Sequence, residues 1–358
     1  MSQPKATQHD VAKAAEVSQA LVSLVLNGME EGVAEATRTR ILEEAKRLGY
    51  APKKKPSALK RQKLIGYIRP VVLRGHHDEH WIYNSYEEYY DGIQNLFVQE
   101  AYKAGYSVIV RPYAETGELT RWLTEWGVDG VLWHGPDPNL ARWIAKRYPM
   151  VQINRLTIDH ADTVATNQED LVVTAMDHLC AKGHTRIVFI PAQPATSPLR
   201  RLRNRAYLDY VQARGLPSFE STFPFHIDQS LAEMHDRLFE LLSGRKEERP
   251  TAVIVGDHDA LQIMKRSHEM GLLLPDDLSI VGIDNISAGA FTTPALTTIN
   301  TRNDEIARLA VYLLLERIRD PQAPFRKMFV TPSLVERQSV ALLAGKTPAR
   351  SSSLKQEI

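Results

Sequence analysis

A glutamine amide can make paired hydrogen bonds with the edge of an adenine, an alanine methyl can touch a thymine methyl, and serine or asparagine can bond base edges or phosphates. The run Thr7–Leu26 (TQHDVAKAAEVSQALVSLVL) carries such groups at helical spacing. Its apolar positions, Val11, Ala14, Ala15, Val17, Leu21, Val22, Val25 and Leu26, lose phase near Glu16, so the spacing predicts two short helices. Thr7 and Asp10 make the pattern of a capping box on the first helix, and Ser18 is the expected N-cap of the second. Two such helices form either a helix-turn-helix or an ordinary helical hairpin, and periodicity alone does not separate them. As a helix-turn-helix, the second helix enters the major groove. Its outward residues Ser18, Gln19, Ala20 and Ser23, with Asn27 near its end, then face the bases.

The charge distribution favours a polyanion as partner. The 358 residues carry a formal net charge of +1, yet residues 1–63 hold 12 of the 44 Lys and Arg and only 7 of the 43 Asp and Glu. That leaves 32 basic against 36 acidic residues for the remainder, a basic head on a mildly acidic body. A length of 358 residues implies two or three folding units, and 43% hydrophobic with 24% charged residues is a soluble globular composition. No apolar run approaches the roughly 18 residues of a membrane span, and MSQPKATQHD lacks the apolar segment of an export signal. The single cysteine, Cys180, excludes an internal disulfide and fits a reducing cytoplasm.

The elements that must position these groups come next in the chain. A third helix is expected from about Glu35 to Leu48, with Ile41, Leu42, Ala45 and Leu48 as its buried stripe. Pro52–Lys63 (PKKKPSALKRQK), with six basic residues and two prolines, has no core pattern and reads as a linker. Beyond it, apolar runs at Leu64–Ile68, Ser107–Val110, Gly130–Trp133 and Val151–Asn154 alternate with helices near Glu87–Ala104, Glu118–Trp126 and Asn139–Tyr148. A second series has strands at Ile187–Pro191, Phe223–His226, Ala252–Val255 and Ser279–Ile283. Its helices lie near Leu171–Lys182, Leu202–Arg214, Leu231–Ser243 and Ala260–Met270. A helix from Asn303 to about Arg319 and the run Phe329–Leu334 complete the lobes. The pattern predicts an α/β fold with two doubly wound lobes, parallel sheets, and a ligand site outside the carboxyl ends of the strands. His134, Asn154 and Asp284 follow apolar runs and are expected at that rim, with plain loop or turn-capping roles as the alternative.

Two ordered sets of residues resemble a known family. Asp10-Val11-Ala12, Val17-Ser18, Val22-Ser23, Leu26-Asn27-Gly28, Thr37-Arg38 and Leu48-Gly49-Tyr50 with Pro52 resemble the headpiece of the lactose-repressor (LacI/GalR) family of bacterial transcription regulators. Asp91-Gly92-Ile93, Gly105-Tyr106, Val128-Asp129-Gly130, Lys182-Gly183-His184, Asp276–Asp284 and Pro294–Ile299 resemble its sensor domain, of the periplasmic-binding-protein type. The resemblance implies a headpiece over 1–51 that includes Thr7 among its DNA contacts, and a hinge over 52–63. A two-lobed effector and dimerisation domain would span 64–343, followed by a polar tail over 344–358. It also implies that Leu59 wedges into the minor groove and that Arg203 anchors an effector opposite Asp284. Tyr86 stacks on that effector. The aromatic residues Tyr86 and Trp133, with no Asn at Gly256, leave purines and other compounds open beside sugars. The sequence departs from the family at five places. Ala34 replaces a Ser N-cap, Leu21 a Thr, Leu24 a guanine-reading Arg, Pro56-Ser57 the Ala-Arg of a hinge that is also shorter here, and Gly256 an Asn that bonds sugars.

The expectation is therefore a cytoplasmic, homodimeric repressor that binds a double-stranded operator and responds to a small metabolite, a sugar or sugar derivative first. Effector closure of the lobes is expected to change the spacing or order of the two hinges. The rival is a small-molecule sensor without specific DNA binding. Catalysis, a cofactor and a metal are not expected: there is no GxGxxG, Walker loop, GxSxG or HExxH. His76, His77, Asp78, Glu79 and His80 read as a solvated loop rather than a ligand set. Asp257 reads as the N-cap of a helix rather than part of a metallohydrolase loop. The tail has no leucine heptads, so a coiled-coil tetramer is not expected.

Overall fold

The computed structural model describes residues 6–26, 33–50, 63–70, 80–113, 116–156, 158–190, 197–219, 223 and 231–343. The chain divides into two compact units, Met1–Gln62 and Lys63–Ile358.

The first unit holds α1 (Gln8–Ala14), α2 (Gln19–Leu26) and α3 (Glu35–Arg47). They bury Val11, Ala12, Ala15, Val22, Val25, Ile41 and Ala45, with Val17, Leu21, Leu48 and Tyr50 packed against that cluster. The phase break has a backbone cause: Glu16 turns through φ 52°, and the amide of Val17 returns to the carbonyl of Ala12 at 3.0 Å. The Thr7 capping box closes in both directions, with Asp10 N donating to Thr7 Oγ1 at 3.4 Å and Thr7 N to Asp10 Oδ2 at 2.8 Å. Ser18 Oγ accepts the Leu21 amide at 3.2 Å and so caps α2. Ala34 offers α3 no side-chain cap. Leu42, expected in the buried stripe, is 42% exposed, because it lies beside that stripe rather than on it.

The second unit contains two sheets. β1 (Leu64–Pro70), α4 (His80–Lys103), β2 (Ser107–Tyr113), α5 (Thr116–Trp126), β3 (Gly130–Trp133), α6 (Pro138–Ala145), β4 (Met150–Ile153) and β5 (Asp162–Thr166) open the first lobe. The second lobe follows with α7 (Gln168–Ala181), β6 (Ile187–Phe189), α8 (Pro198–Arg214), α9 (Leu231–Ser243), β7 (Ala252–Ile254), α10 (Asp257–Glu269), β8 (Ser279–Ile283) and β9 (Thr297–Asn300). The chain then returns: α11 (Asn303–Arg319) and β10 (Lys327–Val330) join the first lobe, and β11 (Ser333–Val335) the second. The first sheet is parallel in the order β10-β5-β4-β3-β1-β2, and the second runs β11-β9-β8-β7-β6 with only β11 antiparallel. Each lobe has its own core. Tyr67, Phe97, Leu132, Val151 and Leu314 stand in one cluster of the first, and Met176, Phe189, Tyr207, Val253 and Ile280 in that of the second.

The sheet order makes the chain cross between the lobes three times, after β5, β9 and β10. These crossings are tied together. Thr166 Oγ1 donates to the carbonyl of Thr301 at 2.9 Å, and the Asn167 amide to that of Val330 at 2.8 Å. Three short tethers bonded to one another make a hinge, which permits the lobes to close and open as bodies.

Several expectations change. The run Phe329–Leu334 is not one strand, since β10 and β11 belong to different sheets. β5 and β9 were not expected as strands. Phe223 sits in a bend, and the rest of the expected strand Phe223–His226 lies outside the described residues. α4 starts at His80 rather than near Glu87, so His80 is helical and not part of a loop. His76, His77, Asp78 and Glu79 lie outside the described residues.

Candidate functional site

The first candidate surface is the exposed amino-terminal turn of α2. Ser18, Gln19 and Ala20 are all exposed, and Ser23 on the same helix is half-buried. This turn has no acidic residue, so the positive end of the helix dipole is uncompensated where a phosphate would approach. Thr7 is exposed but engaged in the cap of α1. Leu21, where the family commonly has Thr, is held by the core. Asn27 and Leu59 lie outside the described residues.

The second candidate is a cavity of about 690 Å3 within the body, where the carboxyl ends of both sheets face each other. His134 follows β3 and Asn154 follows β4 in the first lobe. Arg203 on α8 and Asp284 after β8 come from the second lobe, and all four line the cavity. His134 Nδ1 is hydrogen-bonded to the buried Tyr67 hydroxyl at 3.1 Å, and burial with Arg155 nearby holds its pKa well below the usual imidazole value. It is a neutral donor or acceptor. Asn154, in a left-handed turn at φ 45°, accepts the Thr166 amide at 3.0 Å and donates to the Tyr89 hydroxyl at 3.2 Å. It therefore joins the cavity wall to the first crossing. Arg203 Nε donates to Gln168 Oε1 at 2.5 Å, and Gln168 Nε2 to the Thr166 carbonyl at 2.7 Å, so the other lobe reaches that crossing too.

Asp284 takes φ 107°, and burial raises its pKa against the opposing pull of Arg203. Asp257 and Asp259 lie near it. Burial first, then the Asp284 charge, pushes Asp257 up to about 8 and Asp259 up to about 7; for Asp257, hydrogen bonds from Thr298 and Ile286 act in the other direction. Asp257 is not the N-cap expected of it. Gly256 occupies that position, and the Asp257 carboxyl takes the Thr298 hydroxyl at 2.6 Å and the Ile286 amide at 2.8 Å. A β-carbon at position 282 would stand 1.9 Å from Asp257 Oδ1, which is why glycine occupies β8 there. Among the described residues no metal-ligating group of three or more side chains assembles, and no helix is long and apolar enough to cross a membrane.

The aromatic wall differs from expectation. Trp133 is fully buried in the core of the first lobe, because a strand covered on both faces gives no sign of which face each residue takes. The aromatic residues on the cavity are Tyr89 and Tyr90. They lie three and four positions after Tyr86, one turn along α4; the side chain of Tyr86 is outside those described. Arg142, Arg155, Gln168 and Arg201 also line the cavity and were not anticipated. Only Gln168 had a local signal, following the Asn167 N-cap of α7.

Comparison with known proteins gives matches at both ends of the chain. A family model described as bacterial regulatory proteins, lacI family, matches residues 7–53, and one described as periplasmic binding protein-like domain matches residues 176–340. The HTH-type transcriptional repressor PurR of Aliivibrio fischeri strain MJ11 is 30% identical over 345 residues, covering 94% of this chain and 98% of its own. The ribose operon repressor of Escherichia coli K12 is 30% identical over 353 residues, covering 93% and 99%. Among solved structures, a transcriptional regulator CelR–cellobiose complex shares the fold with a TM-score of 0.64 at 23% identity, over 93% of this chain and 99% of that one. A lac repressor dimer bound to operator and the anti-inducer ONPF gives 0.62 at 23% identity, over 94% and 100%.

Proposed function

The chain belongs to the lacI family of bacterial regulatory proteins, and from that premise we propose that Gln19, Ala20 and Ser18 read its operator while a metabolite in the inter-lobe cavity sets how tightly the operator is held. The protein is a DNA-binding transcriptional repressor of the cytoplasm, and the molecule it senses is a sugar or sugar derivative. The observation that carries the reading is the pairing of a Ser18-capped helix, whose first turn is exposed, with a hinged two-lobed body whose open cavity carries charged and hydrogen-bonding side chains on a partly apolar wall.

Gln19 takes the bidentate adenine contact and Ala20 a thymine methyl. Ser18, Ser23 and Thr7 bond phosphates or nearby edges, Asn27 completes the helix contacts, and Leu59 wedges the minor groove. One headpiece makes too few contacts for specific affinity, so the protein acts as a homodimer on a near-palindromic site. In the cavity Arg203 and Asp284 clamp the metabolite from the second lobe, His134 and Asn154 bond it from the first, and the Tyr86 turn of α4, through Tyr89 and Tyr90, covers a flat face. Asn154 and Gln168 both bond Thr166 at the crossing, so a ligand that engages their partners favours one lobe arrangement over another. Operator affinity then shifts only by the ligand's differential affinity for the two arrangements.

The test is a titration of the full-length protein on a duplex selected from random sequence and on a scrambled duplex of equal length. A preference of at least about a thousandfold for the selected duplex, declining with salt on both, is expected. Equal affinity for the two would leave only the sensor reading.

A further inference from the structure

Resting on the reading of the cavity as the effector site, we infer that its ligand is anionic: a polyhydroxylated metabolite carrying a carboxylate or a phosphomonoester, gripped by arginines from both lobes. Four guanidinium groups line the cavity. Arg142 and Arg155 belong to the first lobe and Arg201 and Arg203 to the second, while Asp284 is the single carboxylate among the described lining residues. Two histidines, His134 and His258, also line the cavity, and His134 is kept neutral by burial and does not add to that charge.

The four are arranged in two tiers. Arg155 and Arg203 are half-buried, and each is oriented through its Nε, Arg155 by the His134 carbonyl at 3.1 Å and Arg203 by Gln168. Holding a guanidinium by Nε fixes its plane, and a fixed plane suits the paired oxygens of a carboxylate or phosphate better than a lone hydroxyl. Arg142 and Arg201 are exposed, one on each lobe. The amino-terminal turn of the 17-residue α8 also faces the cavity through Ser197, Pro198 and Leu199, with no acidic residue in that turn. Closing the lobes on a neutral sugar brings like charges together in a site that excludes water, whereas an anion turns that repulsion into a bridge between the lobes. Tyr89, Tyr90 and Asn154 supply the stacking and hydroxyl contacts that distinguish a sugar derivative from a simple ion.

The test is thermal unfolding of the full-length protein with glucose, gluconate, glucose 6-phosphate or inorganic phosphate, each against sodium chloride at equal ionic strength. Phosphate and at least one anionic sugar are expected to raise the melting temperature beyond chloride, and glucose is not. Gluconate ahead of glucose 6-phosphate assigns a carboxylate ligand, and the reverse order a phosphomonoester. The double variant Arg142→Gln/Arg201→Gln changes exposed side chains and is expected to weaken the anion response about ten- to hundredfold in concentration, with Arg142→Lys/Arg201→Lys recovering part of it. No anion-specific shift, an equal shift in the Gln variant, or a larger response to glucose would each overturn the inference. The selected-duplex titration on the same preparation keeps the two readings apart: a preference for neutral sugar with operator binding intact removes only this inference, and loss of sequence preference removes the regulator reading instead.

Discussion

The headpiece and the cavity are each proposed to recognise a molecule through a handful of polar groups, and they are built in opposite ways. The described residues proposed to face the bases, Ser18, Gln19, Ala20 and Ser23, fall within one stretch at the start of one helix whose first turn is exposed. The cavity draws on residues from Tyr89 to Thr301, brought together by two sheets and a hinge, and its polar groups are already bonded to the scaffold. An exposed side chain is desolvated only when DNA arrives, so changing it alters binding and little else. A buried polar group is part of the fold, so changing it alters stability and binding together.

The contrast is open to attack from several directions. The largest expected effect tests the dependence of the body on buried polar pairs: Arg317 Nε meets the fully buried Asp162 at 2.8 Å. Arg317→Leu removes the nearest cation from that carboxylate, leaving it the Arg326 amide at 2.8 Å and the Arg326 guanidinium at 3.9 Å, and should cost about 3 kcal/mol. Calorimetry should show the loss in the body transition and not in headpiece unfolding.

The next prediction concerns pH, where the two regions should respond with opposite sign. Asp257 and Asp259 have folded values of about 8 and about 7, above the unfolded 3.8. They contribute stability that is full below about pH 4 and is lost as pH rises through those folded values. Asp10 in the headpiece is held low by the Thr7 hydroxyl and amide, so its contribution is present above pH 3.8 and is lost as pH falls below it. Melting followed from about pH 5 to about pH 9 should show the body declining, with Asp259→Asn flattening the slope. A flat profile for the wild type would contradict the buried carboxyls.

Asn154→Ala should then lower body stability by about 1–3 kcal/mol and weaken ligand binding in the same protein, since it leaves the Thr166 amide without its acceptor. Gln19→Ala is its counterpart: about 1–3 kcal/mol on the selected duplex, little on the scrambled one and no change in melting. If Gln19→Ala lowered the melting temperature while Asn154→Ala did not, the contrast would be reversed. The smallest effect is a gain, Ala34→Ser, which supplies the missing cap of α3 and should stabilise the headpiece by about 1 kcal/mol in its own unfolding transition.

The same difference explains what could be read in advance. The caps at Thr7 and Ser18 and the break at Glu16 are local events, set by residues within one turn of each other, and they appear in the sequence as they stand in the fold. His134, Asn154 and Asp284 were legible for a similar reason, because each follows an apolar run and a parallel sheet sends such residues to its rim. β5 was not legible: Asp162, Thr163 and Thr166 are buried polar residues satisfied by Arg317, Gln152 and Thr301, and a strand whose partners lie so far away in the chain reads as a loop. Arg142 and Arg201 are exposed positions on helices that also have a buried face, and nothing near them in sequence tells which helix edge turns toward the cleft. Trp133 misled because its strand is buried on both faces.

The most direct measurement is the operator titration repeated at saturating concentration of whichever sugar or sugar derivative raises the body's melting temperature most. The operator midpoint should move, and operator should change the affinity for that compound by the same factor, as linkage requires. A midpoint that stays fixed while the compound occupies the cavity would contradict control of the headpiece by the body.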